Sequence, residues 1–117
     1  MANPDATATT PMSLWKWSPA EKIVAHRAFD VALKRELETV IRKAKERAER
    51  IKEPSDLWEM EDWLAEQRRR IDRTFDFRYS VLPLVFATLI RNRGLDEEEL
   101  SGLAQEKLDT ILHIAHM

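Results

Sequence analysis

Apolar residues recur at three- and four-residue steps along nearly the whole chain, the spacing of an amphipathic helix. The first such stretch opens at Ser18-Pro19-Ala20-Glu21, a capping box with proline at the first helical position. His26, Phe29, Leu33, Leu37, Val40, Ala44, Ala48 and Ile51 then form one stripe, with Ile23 and Ile41 at its edge. No glycine or further proline appears before Pro54. The pattern predicts a first helix of about 35 residues, roughly 50 Å long. A second helix is expected from Ser55 as N-cap, with Asp56 in its first turn and Leu57, Met60, Leu64, Ile71 and Phe75 on one face. Trp58 and Trp63 fall on opposite flanks of that face, so one or both of them call for cover from another chain. The most apolar run, residues 80–90, predicts a third helix with Ser80 as N-cap and Pro83 in its first turn. Arg91-Asn92-Arg93 and a C′ glycine, Gly94, close it. A fourth helix is expected from an acidic start at Asp96 to Glu99. It carries Leu100, Leu103, Ala104, Lys107, Leu108, Ile111 and Ala115.

These elements predict an all-α fold. A compact chain of this length has a radius of gyration near 13 Å, so the first helix must protrude. Folding the second helix back on it gives a long hairpin over residues 18–79, and two hairpins close a four-helix bundle in a homodimer. Residues 80–117 then form a small two-helix head. Residues 1–17 read as a disordered N-terminal segment, with Trp15 and Trp17 placed either to staple back onto the first helix, the favoured reading, or to dock on a partner.

Composition narrows the function. The 117 residues include 34% charged, 44% hydrophobic, two glycines and no cysteine, which suits a helical domain without thiol chemistry, disulfides or cysteine-based metal sites. A net charge of −2 gives no general attraction to nucleic acid. The triple arginine Arg68-Arg69-Arg70 spreads in three directions and has acids within reach on its own helix. The run at 80–90 is shorter than the about 20 residues of a membrane span, and no secretory leader precedes the first helix, which points to a cytoplasmic protein. The serines read as caps and turns, and His26 as a packed histidine. His113 and His116 lack a third metal ligand in sequence. No cofactor and no enzymatic chemistry are expected. Charge is uneven: lysine and arginine are in excess between Arg42 and Lys52, while the fourth helix starts with four acids.

Asp62 and Arg68 stand about 120° apart on the second helix and cannot pair with each other there. Across two helices they can, and such a pair beside an indole fixes register in an interface. With Leu33, Leu37, Leu57 and Trp58 they make the expected dimer interface.

The residues carrying this pattern also resemble a known family, the fluorescence recovery protein of cyanobacteria. The resemblance runs from Trp17-Ser18 with Glu21, through Ala25-His26, Phe29, Arg35-Glu36-Leu37, Asp56-Leu57-Trp58, Asp62, Leu64, Arg68 and Ile71-Asp72. It continues over Asp76, Arg78, Ser80-Val81, Val85-Phe86-Ala87, Gly94-Leu95, Glu98-Glu99-Leu100 and Leu103-Ala104 with Lys107. It implies an all-helical homodimer that is not an enzyme. Members bind the photoactivated orange carotenoid protein, mainly through its C-terminal domain, and speed its return to the orange resting form. Trp58, Asp62 and Arg68 match the family's dimer and activity residues, and Leu84 and Lys107 join them as expected partner-binding positions. The chain departs from the family pattern at Glu61, where a histidine is usual, at Leu84 for a phenylalanine, at Thr110 for a lysine, and at Pro83 for an aliphatic residue. A dimeric helical adaptor with a different client, in a bacterium without phycobilisomes, is the alternative reading.

Overall fold

A computed structural model describes residues 10–117, all of whose regular elements are helical. Four α-helices follow in order: α1 (Pro19–Glu49), α2 (Pro54–Thr74), α3 (Leu82–Arg91) and α4 (Gln105–Ala115). Single 3-10 turns at Met12–Leu14 and Glu97–Leu100 precede α1 and α4.

The capping box at α1 forms as expected. The Glu21 backbone N–H donates to Ser18 Oγ at 3.1 Å, and the Ser18 N–H donates to Glu21 Oε1 at 3.0 Å. At 31 residues the helix is shorter than expected, because the chain leaves it at Arg50 for a tight turn. The N-cap of α2 is Glu53, not Ser55. Pro54 already has the φ of a first helical residue, and the Asp56 carboxylate accepts from the N–H groups of Lys52 and Glu53 at 2.9 and 3.0 Å. Those two bonds start the helix two residues early and leave Ser55 inside it.

Helices α1 and α2 make the antiparallel hairpin, joined by a Glu36–Arg70 ion pair and by the Arg47 guanidinium over the Trp63 ring, 4.5 Å from its centroid. The molecule measures 71 × 22 × 21 Å and has a radius of gyration of 18.2 Å, so the hairpin does protrude. No residue of α2 is buried.

The core lies at the other end. Ala25, Ala28 and Ala32 let α1 approach the head closely, and with Phe29 they pack against Leu82, Phe86, Leu95, Leu100 and Ile111. The buried face of α1 is thus turned from the expected stripe, and His26 is exposed, stacked on Phe77 at 4.1 Å. The link from α2 to α3 alternates aromatic and polar residues. Phe75 and Phe77 meet Phe29 edge-on at 5.5 and 5.0 Å, and Tyr79 meets Phe77 and Trp17 at 5.4 and 5.5 Å. This alternation puts every second side chain on α1, as in a strand.

Of the segment expected to be disordered, residues 1–9 lie outside the described residues. Residues 10–17 differ from the expectation: Trp17 is buried and Trp15 packs on it at 6.4 Å. Lys22 at the position that would complete the staple is polar, and Trp17 packs on Trp15 and on Tyr79 of the link between α2 and α3 instead.

The head differs from expectation at three boundaries. The N-cap of α3 is Val81 instead of Ser80, with Pro83 still in the first turn. The residue in left-handed conformation after α3 is Arg93 (φ 62°), one position before Gly94. The bonds from Arg93 N–H to Ile90 O (3.0 Å) and Gly94 N–H to Leu89 O (2.8 Å) complete a Schellman end. The expected fourth helix is broken. After the 3-10 turn the chain bends through Gly102 (φ 110°) and restarts at Gln105, which lets Leu100 and Leu103 both reach the core. Glu21 Oε2 accepts from the Ala104 N–H at 2.9 Å and holds the break in place.

Candidate protein-binding surfaces

The hairpin presents a bare apolar stripe. Leu37 and Ile41 of α1 and Leu57, Trp58 and Leu64 of α2 are exposed, Trp58 to 63%, and Leu33 is half-buried. Trp63 is different: it faces α1 under Arg47, so Trp58 is the indole left in water. Leaving an indole of this size exposed forgoes about 1.5–3 kcal/mol of burial.

Charges along the same helix divide into two sets. Arg69 and Arg73 pair with Glu66, and Arg70 pairs with Glu36. Among the described residues Asp62 and Arg68 make no hydrogen bond or ion pair, and both are exposed. They lie on the side of α2 that carries Trp58, Leu57 and Leu64, not on the α1 side. The structure therefore brings Leu57, Trp58, Asp62 and Arg68 onto one surface without letting the two charges meet.

On the head, Leu84 is 45% exposed although its neighbours Leu82, Pro83, Val85 and Phe86 are buried. The Thr110 hydroxyl, 26 residues on, donates to Glu106 O at 3.0 Å. Lys107 does not belong to an open surface. Its ammonium donates to Glu21 Oε1 and Oε2, both at 2.9 Å, and to Lys16 O at 2.6 Å, and it stands 5.2 Å over the Trp17 ring. Those three bonds use all its donors. Burial pushes the Glu21 carboxyl up, but the N–H groups of Ser18 and Ala104 and the Lys107 ammonium outweigh it and hold its pKa at about 2. Sequence reasoning saw Glu21 only as a cap, because nothing local signals a partner 86 positions away. Nearby, Arg35 ties α1 to the head through Glu99 at 2.7 Å and Gly94 O at 3.4 Å.

Among the described residues no cluster of three metal-ligating side chains occurs, and no helix is long and apolar enough to cross a membrane.

The family model described as "photoprotection regulator fluorescence recovery protein" matches residues 17–115. The chain is a member of the fluorescence recovery protein family. Its sequence is 37% identical over 101 residues to the fluorescence recovery protein of Synechocystis, covering 86% of this chain and 93% of that protein. The solved fluorescence recovery protein of Fremyella diplosiphon superposes with a TM-score of 0.83 at 40% identity, over 87% of this chain and all of that one. The Synechocystis structure gives the same TM-score and coverage at 36% identity. The family's helical fold and its role in regulating photoprotection thus apply to this chain, hairpin and head included. The resemblance read from Trp17 onward coincides with the matched range.

Proposed function

We propose that this chain is a non-enzymatic, homodimeric regulator that binds the photoactivated orange carotenoid protein through that protein's C-terminal domain and accelerates its return to the orange state. The observation that carries this reading is the family match over both hairpin and head. A regulator of this kind acts by differential binding: it lowers the barrier to the compact state and holds the compact product weakly.

The dimer is supported by the bare stripe. Asp62 and Arg68 lie three residues to either side of Ala65. An antiparallel crossing of two α2 helices at Ala65 sets each Asp62 opposite Arg68 of the second copy, and the same crossing covers Trp58 and Leu57. Leu33 and Leu37 complete the apolar centre of the resulting four-helix bundle. Residues 18–79 then serve dimerisation, and the head at 80–117 offers Leu84 to the client.

The test is kinetic. Photoactivated orange carotenoid protein is followed from red to orange in the dark, with and without this protein. Acceleration that saturates with added protein is expected. Unchanged recovery in the presence of a folded dimer would reject the carotenoid-protein client and leave the helical adaptor with another client.

A further inference from the structure

A cleft of about 490 Å³ opens between the two hairpin helices near their turn, within the size range of small-ligand sites. Ile51, Met60 and Trp63 give it an apolar wall, and Lys43 and Arg47 of α1 line it with Arg50, the C-cap of that helix. Its carboxylates are mostly engaged elsewhere. Glu46 pairs with Arg42 at 3.3 Å, and Asp56 accepts the two backbone N–H groups at the start of α2. Glu59 is the one lining acid without a partner among the described residues, whereas Lys43 and Arg50 both lack one. Arg47 is held only by the Trp63 ring. With Glu46 matched by Arg42, Lys43, Arg47 and Arg50 stand against Glu59 and Asp56, whose charge the backbone N–H groups stabilise but do not cancel, so the cleft keeps a small positive excess next to a half-buried indole.

The cleft is separate from the stripe that the dimer reading uses. Arg50 lies nine residues from Ile41, about half a turn round α1, and Trp63 lies five residues from Trp58, about 140° round α2. Binding here does not require the dimer face.

We propose that this cleft binds a planar organic anion, whose ring stacks on Trp63 in place of the Arg47 guanidinium and whose charge is taken by Lys43, Arg50 and the released Arg47. An indole face accepts any flat π-system, and a freed guanidinium pairs with carboxylate or phosphate oxygens in a fork. Ring and charge are both needed: Glu59 opposes a bare anion's approach, and a neutral ring must displace a cation from the indole with nothing to pair it.

The experiment is calorimetric titration of the full chain at low ionic strength with four probes: ATP, anilinonaphthalene sulfonate, adenosine and inorganic triphosphate. ATP and the sulfonate are expected to bind at one site per chain and to quench tryptophan fluorescence. Adenosine and triphosphate should bind about tenfold more weakly or worse. Lys43→Ala with Arg50→Ala should weaken ATP binding about tenfold or more while the melting temperature and oligomeric mass stay unchanged. Trp63→Phe should retain part of the affinity and lose the quenching. Binding of triphosphate equal to ATP, binding unaffected by the Lys43/Arg50 change, or no heat from either planar anion would each overturn the proposal. None of these outcomes bears on the carotenoid-protein client.

Discussion

Glu21 and Lys107 meet across 86 positions of sequence, both carboxylate oxygens 2.9 Å from one ammonium. The same carboxylate caps α1 and fixes the Ala104 N–H. One side chain thereby joins the start of the hairpin to the start of the last helix, with both charged groups nearly buried.

That arrangement sets a pH dependence. The Glu21 carboxyl is held at about 2 against an ordinary 4.5. A depressed value means the stabilisation is complete above pH 4.5, where folded and unfolded chains are both ionised. It is lost as pH falls from 4.5 to 2, where only the unfolded chain takes up the proton. The gap corresponds to at most roughly 3–4 kcal/mol. Glu21→Gln should cost about 2–4 kcal/mol at pH 7, because the Lys107 ammonium keeps its burial and loses its counter-charge. Urea unfolding at pH 7 and pH 3 should show the gap between native protein and variant narrowing toward acid. A gap independent of pH would reject the assignment.

Of the chain's two glycines, it is Gly102, not the expected C′ residue Gly94, whose backbone requires glycine. A Cβ on Gly102 would sit 2.8 Å from Val24 Cγ2, on a backbone with φ 110°. Gly102→Ala should therefore cost about 2 kcal/mol or more, from strain and from the push on α1. A Cβ on Gly94 meets nothing closer than 3.7 Å, and its φ is not in the left-handed region. Gly94→Ala should be close to neutral. Arg93 carries the left-handed strain instead, so Arg93→Gly should stabilise by about 0.5–1 kcal/mol. Thermal melts of the three variants check the order.

Helix number and the hairpin were legible in the sequence because they rest on local physics: apolar periodicity, the Ser18 box and the break at Pro54. The errors fall where a distant or competing partner decides. Ser55 is a fair N-cap by itself, but the Asp56 carboxylate reaches two backbone donors upstream and sets the start at Glu53. The last helix has an unbroken helical pattern from Leu100 to Ala115, yet the core needs both Leu100 and Leu103 and breaks the helix at Gly102. Lys107 is expected as a contact residue only because the family resemblance runs through it, and no local pattern signals that its ammonium is taken up by Glu21. Trp58 and Asp62 were legible as one flank of α2, and Arg68 as a neighbour of its apolar stripe, because their angles follow from spacing; the role given to the three together rests on the family resemblance. Trp63 was not separable from Trp58 until the position of Arg47 was known.

Charge reversal at one end of the Asp62–Arg68 relationship should break the proposed dimer. Asp62→Arg puts like charges opposite each other twice about the two-fold axis, and the mass should fall to that of one chain, 13.7 kDa. Adding Arg68→Asp restores complementarity and should restore the dimer. Light scattering after size-exclusion chromatography reads both. A dimer mass unchanged in the single variant would remove Asp62 from the interface.

Leu84 tests the head apart from the hairpin. It is the exposed residue in the first turns of α3, and its neighbours on both sides form the core. Changing it leaves the α1–α3 packing and the Asp62–Arg68 surface intact. Burial of an exposed leucine by a client contributes about 1.5–3 kcal/mol, or roughly 10- to 150-fold in affinity. Leu84→Asp should therefore keep the native melting temperature and dimer mass while the concentration needed for half-maximal acceleration of carotenoid-protein recovery rises by at least about tenfold. Leu84→Phe adds apolar area at the same point and should lower that concentration. Both variants are expected to leave the proposed dimer in place, so a shift in opposite directions would point to contact between the head and its client. Equal half-maximal concentrations in all three proteins would place the client on the hairpin instead.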